Sequence, residues 1–218
     1  MRLFFGMGML ALAGGLLGCQ APTPVRFHTL ASPMAAPAAA AAPASPTPSA
    51  AFLIDVLPVG IPAQLDAAQL LVRQGDSGVV ALDGERWIGP FADEARGALS
   101  AQLTQRLATT DVAGLAPPKG QPVLRIKVQI RRLDAWPGQQ VRLDADWSLG
   151  FAHEPNGARL VCSTRHAVPA GPDYPQVVQA QQRALADLAA QMADTARQWE
   201  RSRAAPCARP GPGPQQQS

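Results

Sequence analysis

Three cysteines and three histidines are the side chains of this 218-residue chain with covalent or metal chemistry to offer, and their spacing sorts them. Cys19 closes the apolar run Leu3–Gly18, where a thiol is placed to accept a lipid. Cys162 and His166 stand four apart, which invites a thiolate–imidazole pair. In a strand, residues four apart lie about 13 Å from each other, so these two cannot share a proton. With Cys19 lipidated, Cys162 and Cys207 remain, and an oxidising compartment would let them pair in a disulfide. The competing picture is a buried Cys162 and a free Cys207 in a tail. His28, His153 and His166 are scattered without metal-ligand spacing, and Gly75-Asp76-Ser77-Gly78 lacks the lysine and following helix of a phosphate loop. No catalytic residue, metal or cofactor is expected.

The N-terminal stretch has the anatomy of a signal peptide over residues 1–18. Arg2 and the amino terminus are positive, and Leu3 to Gly15 carries no charge. The 16 residues from Leu3 to Gly18 fall short of the roughly 20 that a membrane-spanning helix needs. Small Gly18 before Cys19 resembles the bacterial lipobox, although Leu17 is bulkier than the Ala, Ser or Thr usual at its place. The alternative is an ordinary signal peptide that happens to hold a cysteine. Several acyl chains on one cysteine, at about 0.8 kcal/mol per buried methylene, give effectively permanent anchoring. Gln20, not Asp, follows the cysteine. By the same resemblance this implies the outer membrane, with the domain on the periplasmic side.

A formal charge of +3, with 19 Lys and Arg spread along the chain, supplies no basic run or aromatic–basic cluster, so no nucleic-acid partner is expected. From Ala31 to Ala51, 16 of 21 residues are Ala or Pro, which reads as an extended linker or loop. Residues 204–218, with Pro-Gly-Pro-Gly-Pro and three glutamines, read as a disordered tail.

Between these segments the periodicities predict an α+β domain: an antiparallel-rich mixed sheet with two helices packed on one face. Phe52–Val59 has the length of a buried strand. Gln69–Arg73 and Val79–Leu82 flank the Gly75–Gly78 turn as a hairpin. Phe91, Ala95, Ala98, Leu99, Gln102, Leu103 and Leu107 recur at helical spacing behind Pro90. Val123–Arg131 and Val141–Phe151 alternate strictly, one face apolar and one charged, around an Asp134–Gly138 hairpin loop. A strand over Ala158–Val168 follows the turn Pro155-Asn156-Gly157 and turns Cys162, Thr164, His166 and Val168 to one face. Pro175–Arg203 is a long amphipathic helix with its stripe on Val178, Gln181, Leu185, Leu188, Met192, Thr195, Ala196 and Trp199.

Several local motifs resemble one family, the ABC-type transport auxiliary lipoproteins of the paraquat-inducible protein C type. They are Arg26-Phe27-His28-Thr29-Leu30, Val56-Leu57-Pro58-Val59 leading to Gln69–Arg73, Glu85-Arg86-Trp87-Ile88-Gly89-Pro90-Phe91, and Asp134-Ala135-Trp136-Pro137-Gly138 with the strand after it. The chain departs from the family pattern at His28, where Tyr is usual, at Ala67-Ala68, and in its long Ala/Pro insert. The resemblance implies an outer-membrane docking component beside an inner-membrane ABC or mammalian-cell-entry-type protein that moves lipids or other hydrophobic compounds. It attaches no catalysis to the chain, and the oligomeric state stays open, a homo-oligomer included. It also places Arg26–Leu30 in the sheet, leaving residues 19–25 as lipid anchor and short tether, and 26–203 as the domain with an internal Ala/Pro loop over 31–51.

Trp87 and Trp136 stand beside proline or glycine at element boundaries, where a large aromatic is either a core plug or a partner contact. The charged strand face (Arg125, Lys127, Arg131, Arg142, Asp144, Asp146, Arg159, Arg165) reads as solvated surface with cross-strand pairs, or as a protein-docking surface. The alternative function is a structural or assembly lipoprotein that supports outer-membrane integrity without a transporter.

Overall fold

The computed structural model describes residues 24–32, 49–154 and 157–209. Seven strands and two helices follow one another as β1 (Arg26–His28), β2 (Leu53–Val56), β3 (Gln69–Gln74), β4 (Gly78–Trp87), α1 (Phe91–Leu107), β5 (Val123–Trp136), β6 (Gln140–Phe151), β7 (Leu160–Pro169) and α2 (Tyr174–Arg201). The α+β class and the helix pair agree with the periodicities. The strands divide into two mixed sheets, three-stranded in the order β1-β4-β3 and four-stranded in the order β2-β5-β6-β7. The two parallel pairs are β1 with β4 and β2 with β5; the rest are antiparallel.

Alternation decides which face of the larger sheet is buried. Leu124, Ile126, Val128 and Ile130 of β5, Val141, Leu143, Trp147 and Leu149 of β6, and Cys162, Thr164 and Val168 of β7 all point inward. Against them pack Leu99, Leu103 and Leu107 of α1 and the stripe Leu185, Leu188, Met192 and Trp199 of α2. α2 starts on Asp173, whose carboxylate accepts the Gln176 backbone N–H at 2.8 Å. α1 lacks a side-chain cap at Pro90 and relies on Asp93 and Glu94 in its first turn to meet the helix dipole.

Three segments beyond the expected strands and helices are structured. β5 runs through Asp134 to Trp136 because a bulge between Ile130 and Arg132 resets its register, and the reversal needs only Pro137 to Gln139. Gly138, at φ 74°, takes the positive-φ position that follows proline in such turns. Glu85–Trp87 prolongs β4 beyond the Val79–Leu82 strand expected and receives β1 in parallel, Phe27 opposite Arg86. Residues 204–209, assigned to a disordered tail, lie along β7 and α2. The Ala208 carbonyl accepts from Gln191 at 2.6 Å, and its N–H donates to Thr195 Oγ1 at 3.0 Å.

β1 is fastened as well as paired. Leu30 is buried, Glu94 Oε2 accepts from Thr29 Oγ1 at 2.6 Å and from the Leu30 N–H at 2.9 Å, and Gln182 donates to the Thr29 carbonyl at 2.9 Å. Residues 31–49 therefore connect two strands that are both in sheets. Most of the Ala/Pro stretch, like Cys19 and the signal segment, lies outside the described residues.

Candidate functional site

The uncovered face of the four-stranded sheet carries an extended charge array built by alternation. Side chains pointing away from the helices are Arg125, Lys127, Gln129 and Arg131 on β5, Arg142, Asp144, Asp146 and Ser148 on β6, and Ser163 and Arg165 on β7. Past the bulge the parity flips, so Arg132 and Asp134 join this face while Leu133 and Ala135 turn inward. Cations outnumber carboxylates.

Asp146 is the node of the array. Its Oδ1 accepts from Ser163 Oγ at 2.6 Å and its Oδ2 from Arg131 Nε at 2.7 Å. The serine hydrogen bond first, and the arginine with it, hold the carboxyl below its ordinary 3.8. Asp134 is pinned between Arg73 Nε at 2.7 Å and Arg132 Nε at 3.4 Å, the first of these linking the two sheets. Asp55 of β2 meets Arg125 at 3.4 Å. Arg132, Arg142 and Arg165 surround Asp144 in an open hollow. A second hollow of about 250 Å³ lies at the other end of the face, between Lys127, Ser148, Gly150 and Arg159. Neither encloses a small molecule; the array is suited to an extended, complementary charged surface.

The two tryptophans part company. Trp87 is 6 % exposed and packs on Phe91, ring centroids 5.4 Å apart, so the reading of it as a partner contact is corrected: it is a core plug. Trp136 is half-buried at the end of the charged face. Its indole N–H donates to the Gly75 carbonyl at 3.3 Å, and the Arg142 guanidinium stands 6.0 Å from its ring. It pins one hairpin turn to the other while keeping an exposed edge.

Cys162 and Cys207 are joined in a disulfide, Cα–Cα 5.9 Å, so the Cys162 sulfur is not a free nucleophile. His166 lies further along β7, half-buried, with Nε2 unpartnered. Beneath the disulfide runs a buried polar chain: Trp147 Nε1 donates to Thr164 Oγ1, which donates to Gln191 Oε1, each at 2.9 Å. Among the described residues no three His, Cys, Asp or Glu side chains converge as a metal site, and no helix is long and apolar enough to cross a membrane.

Periodicity missed Arg132 and Asp134, because no residue type marks the bulge. It also missed Asp111, which gathers Arg96 Nη2 at 3.2 Å, Ser100 Oγ at 2.6 Å and the Val56 and Ala113 N–H groups, and so ties β2 to α1. Nothing local distinguishes that aspartate from a solvated one.

Two sheets, one of them open and charged on its outer face, with two helices on its inner face, define an α+β fold known in solved structures. The crystal structure of an uncharacterized protein, 17 % identical, aligns over 78 % of this chain and 97 % of its own with a TM-score of 0.59. A Xanthomonas campestris protein, 16 % identical, aligns over 74 % and 94 % with a TM-score of 0.50. At such identity these show the fold alone. The family is shown by sequence: residues 30–193 match the model of the ABC-type transport auxiliary lipoprotein component, and the chain belongs to that family. No curated protein matches the chain.

Proposed function

We propose that the protein is an outer-membrane lipoprotein, anchored through lipid on Cys19 with its domain on the periplasmic side. It serves as the docking subunit of an ABC or mammalian-cell-entry-type transporter that moves lipids or hydrophobic compounds between membranes. The observation that carries this reading is the open, cation-rich face of the four-stranded sheet in a chain of the transport auxiliary family. The opposite face of that sheet is filled by the helices, so a partner has one broad surface to meet. The organised pairs Asp146–Arg131 and Asp134–Arg73 hold that surface in fixed register, which lowers the ordering cost of association. Trp136, with its exposed edge beside Arg142, is the aromatic anchor of the face. On this reading residues 1–18 are removed, 19–25 tether, and 26–203 form the domain.

Cross-linking of native membranes followed by capture of the protein tests it. Wild type should bring down an ABC or mammalian-cell-entry-type protein, and Arg125→Glu/Lys127→Glu or Arg142→Glu should lose it while keeping the same melting curve. Capture of no transporter protein, or undiminished capture by both variants, would defeat the docking role. Labelled palmitate entering wild type but not Cys19→Ser tests the anchor.

A further inference from the structure

Three of the seven large apolar side chains that stand exposed among the described residues fall on one patch. They are Val25 (45 % exposed), Phe27 (63 %) and Ile88 (68 %). The parallel register of β1 with β4 puts Phe27 opposite Arg86, so Val25 and Phe27 share a face with Arg86 and Ile88, two residues further along. Ile88 continues the pairing, its N–H donating to the His28 carbonyl at 2.9 Å. The other face of the same strands is satisfied: Glu85 meets His28 at 2.5 Å and Arg26 at 3.5 Å, and Trp87 and Leu30 are in the core. The apolar side chains are therefore surplus to the fold. A phenylalanine held outward on an edge strand needs a partner to explain it.

The length of chain ahead of β1 says which partner. Val25 is the sixth residue after Cys19, a reach of at most roughly 20 Å. Glu94, Gln182 and the buried Leu30 hold β1 to the domain, so the strand does not peel away to lengthen the tether. Arg86 lies within the patch, opposite Phe27, and suits anionic headgroups.

We propose that Val25, Phe27 and Ile88 form a second membrane contact, seated in the headgroup region of an anionic phospholipid surface beside the Cys19 anchor. This inference rests on the anchored reading above and adds to it. The lipid holds the domain at the membrane, and the patch sets its orientation, β1 edge down. A lipid anchor with no such patch is a single point of contact that leaves the domain free to tumble; two points of contact do not. A second copy pairing on the open edge of β1 is the competing way to cover Phe27.

Site-directed spin labelling decides it. The Cys162–Cys207 bond and the acylated Cys19 leave an introduced cysteine as the labelled thiol. The full chain carries the label at Phe27→Cys or at Leu115→Cys, equally exposed but beyond the far end of α1, a helix about 25 Å long. In phosphatidylethanolamine–phosphatidylglycerol vesicles, position 27 should favour oxygen over a nickel chelate several-fold more than position 115. Equal, water-like values at both positions overturn the patch. So does spin–spin broadening at position 27 that vanishes on dilution with unlabelled protein, since that reports a second copy. Mass spectrometry of Cys19 in the same sample reads the anchor separately. An acylated chain with a water-exposed position 27 sinks the patch alone, and an unacylated chain whose position 27 still takes membrane values sinks the anchor alone.

Discussion

His166 is a half-buried side chain whose charge answers to pH. Burial against α2 disfavours its charged form and holds the imidazole below its ordinary 6.5, outweighing the pull of Asp187 and the Gln191 hydrogen bond. A folded-state value below the unfolded one means that its stabilising effect is complete above about 6.5. The effect drains away as pH falls through the lower folded value. Urea unfolding at pH 7 and pH 5.5 should show wild type losing more stability than His166→Gln; equal losses would assign the acid sensitivity elsewhere. Asp146 works in the same direction at lower pH, helping above about 3.8 and less below it, but it is open to solvent and its effect is small. At this scale the period-two pattern was a good guide: it turned Cys162, Thr164 and Val168 inward, where they are. It could not show that Thr164 bridges Trp147 and Gln191, because that contact joins residues far apart in the chain.

Among the elements, the two helices and the β3–β4 and β5–β6 hairpins were legible, since each carries an unbroken period and a glycine or proline at its boundary. The ends were not. β5 gains Arg132 to Trp136 through a bulge, and β4 gains Glu85 to Trp87 through a parallel partner more than fifty residues away. Two element-level outcomes follow. Ala108 closes α1 at φ 49°, a left-handed position where a side chain is strained, so Ala108→Gly should stabilise the fold by up to about 1 kcal/mol in denaturant titration. The Cys162–Cys207 bond, 45 residues apart in sequence, ties the 204–209 segment to β7. Cys207→Ser should cost about 2–4 kcal/mol, lowering Tm by roughly 10 °C. An unchanged melting curve would mean that the hydrogen bonds of Ala208 hold the segment without the bond.

Taken whole, the domain separates an apolar edge at β1 from a charged face on β5–β7, and the two should respond differently to salt. Exposed charges lose reach once the Debye length shrinks from about 8 Å at 0.15 M toward 3 Å at 1 M. Capture of a transporter protein through the sheet face should therefore weaken steeply as salt rises, while vesicle binding through lipid and Phe27 should not. Parallel loss of both would show one surface serving both contacts. The α+β class was readable from the strand and helix periods; the split into two sheets was not, because it depends on which edges pair and no residue pattern encodes that choice. The parallel seating of β1 also has a practical consequence. Residues 31–49 join two strands already fixed in sheets, so their number is almost free to drift: doubling the length of such a connection costs only about 0.6 kcal/mol. A connection of that kind tolerates changes of length without disturbing the domain, and an epitope or fluorescent reporter spliced there should ride on the protein while the β1 edge and the sheet face stay as they are.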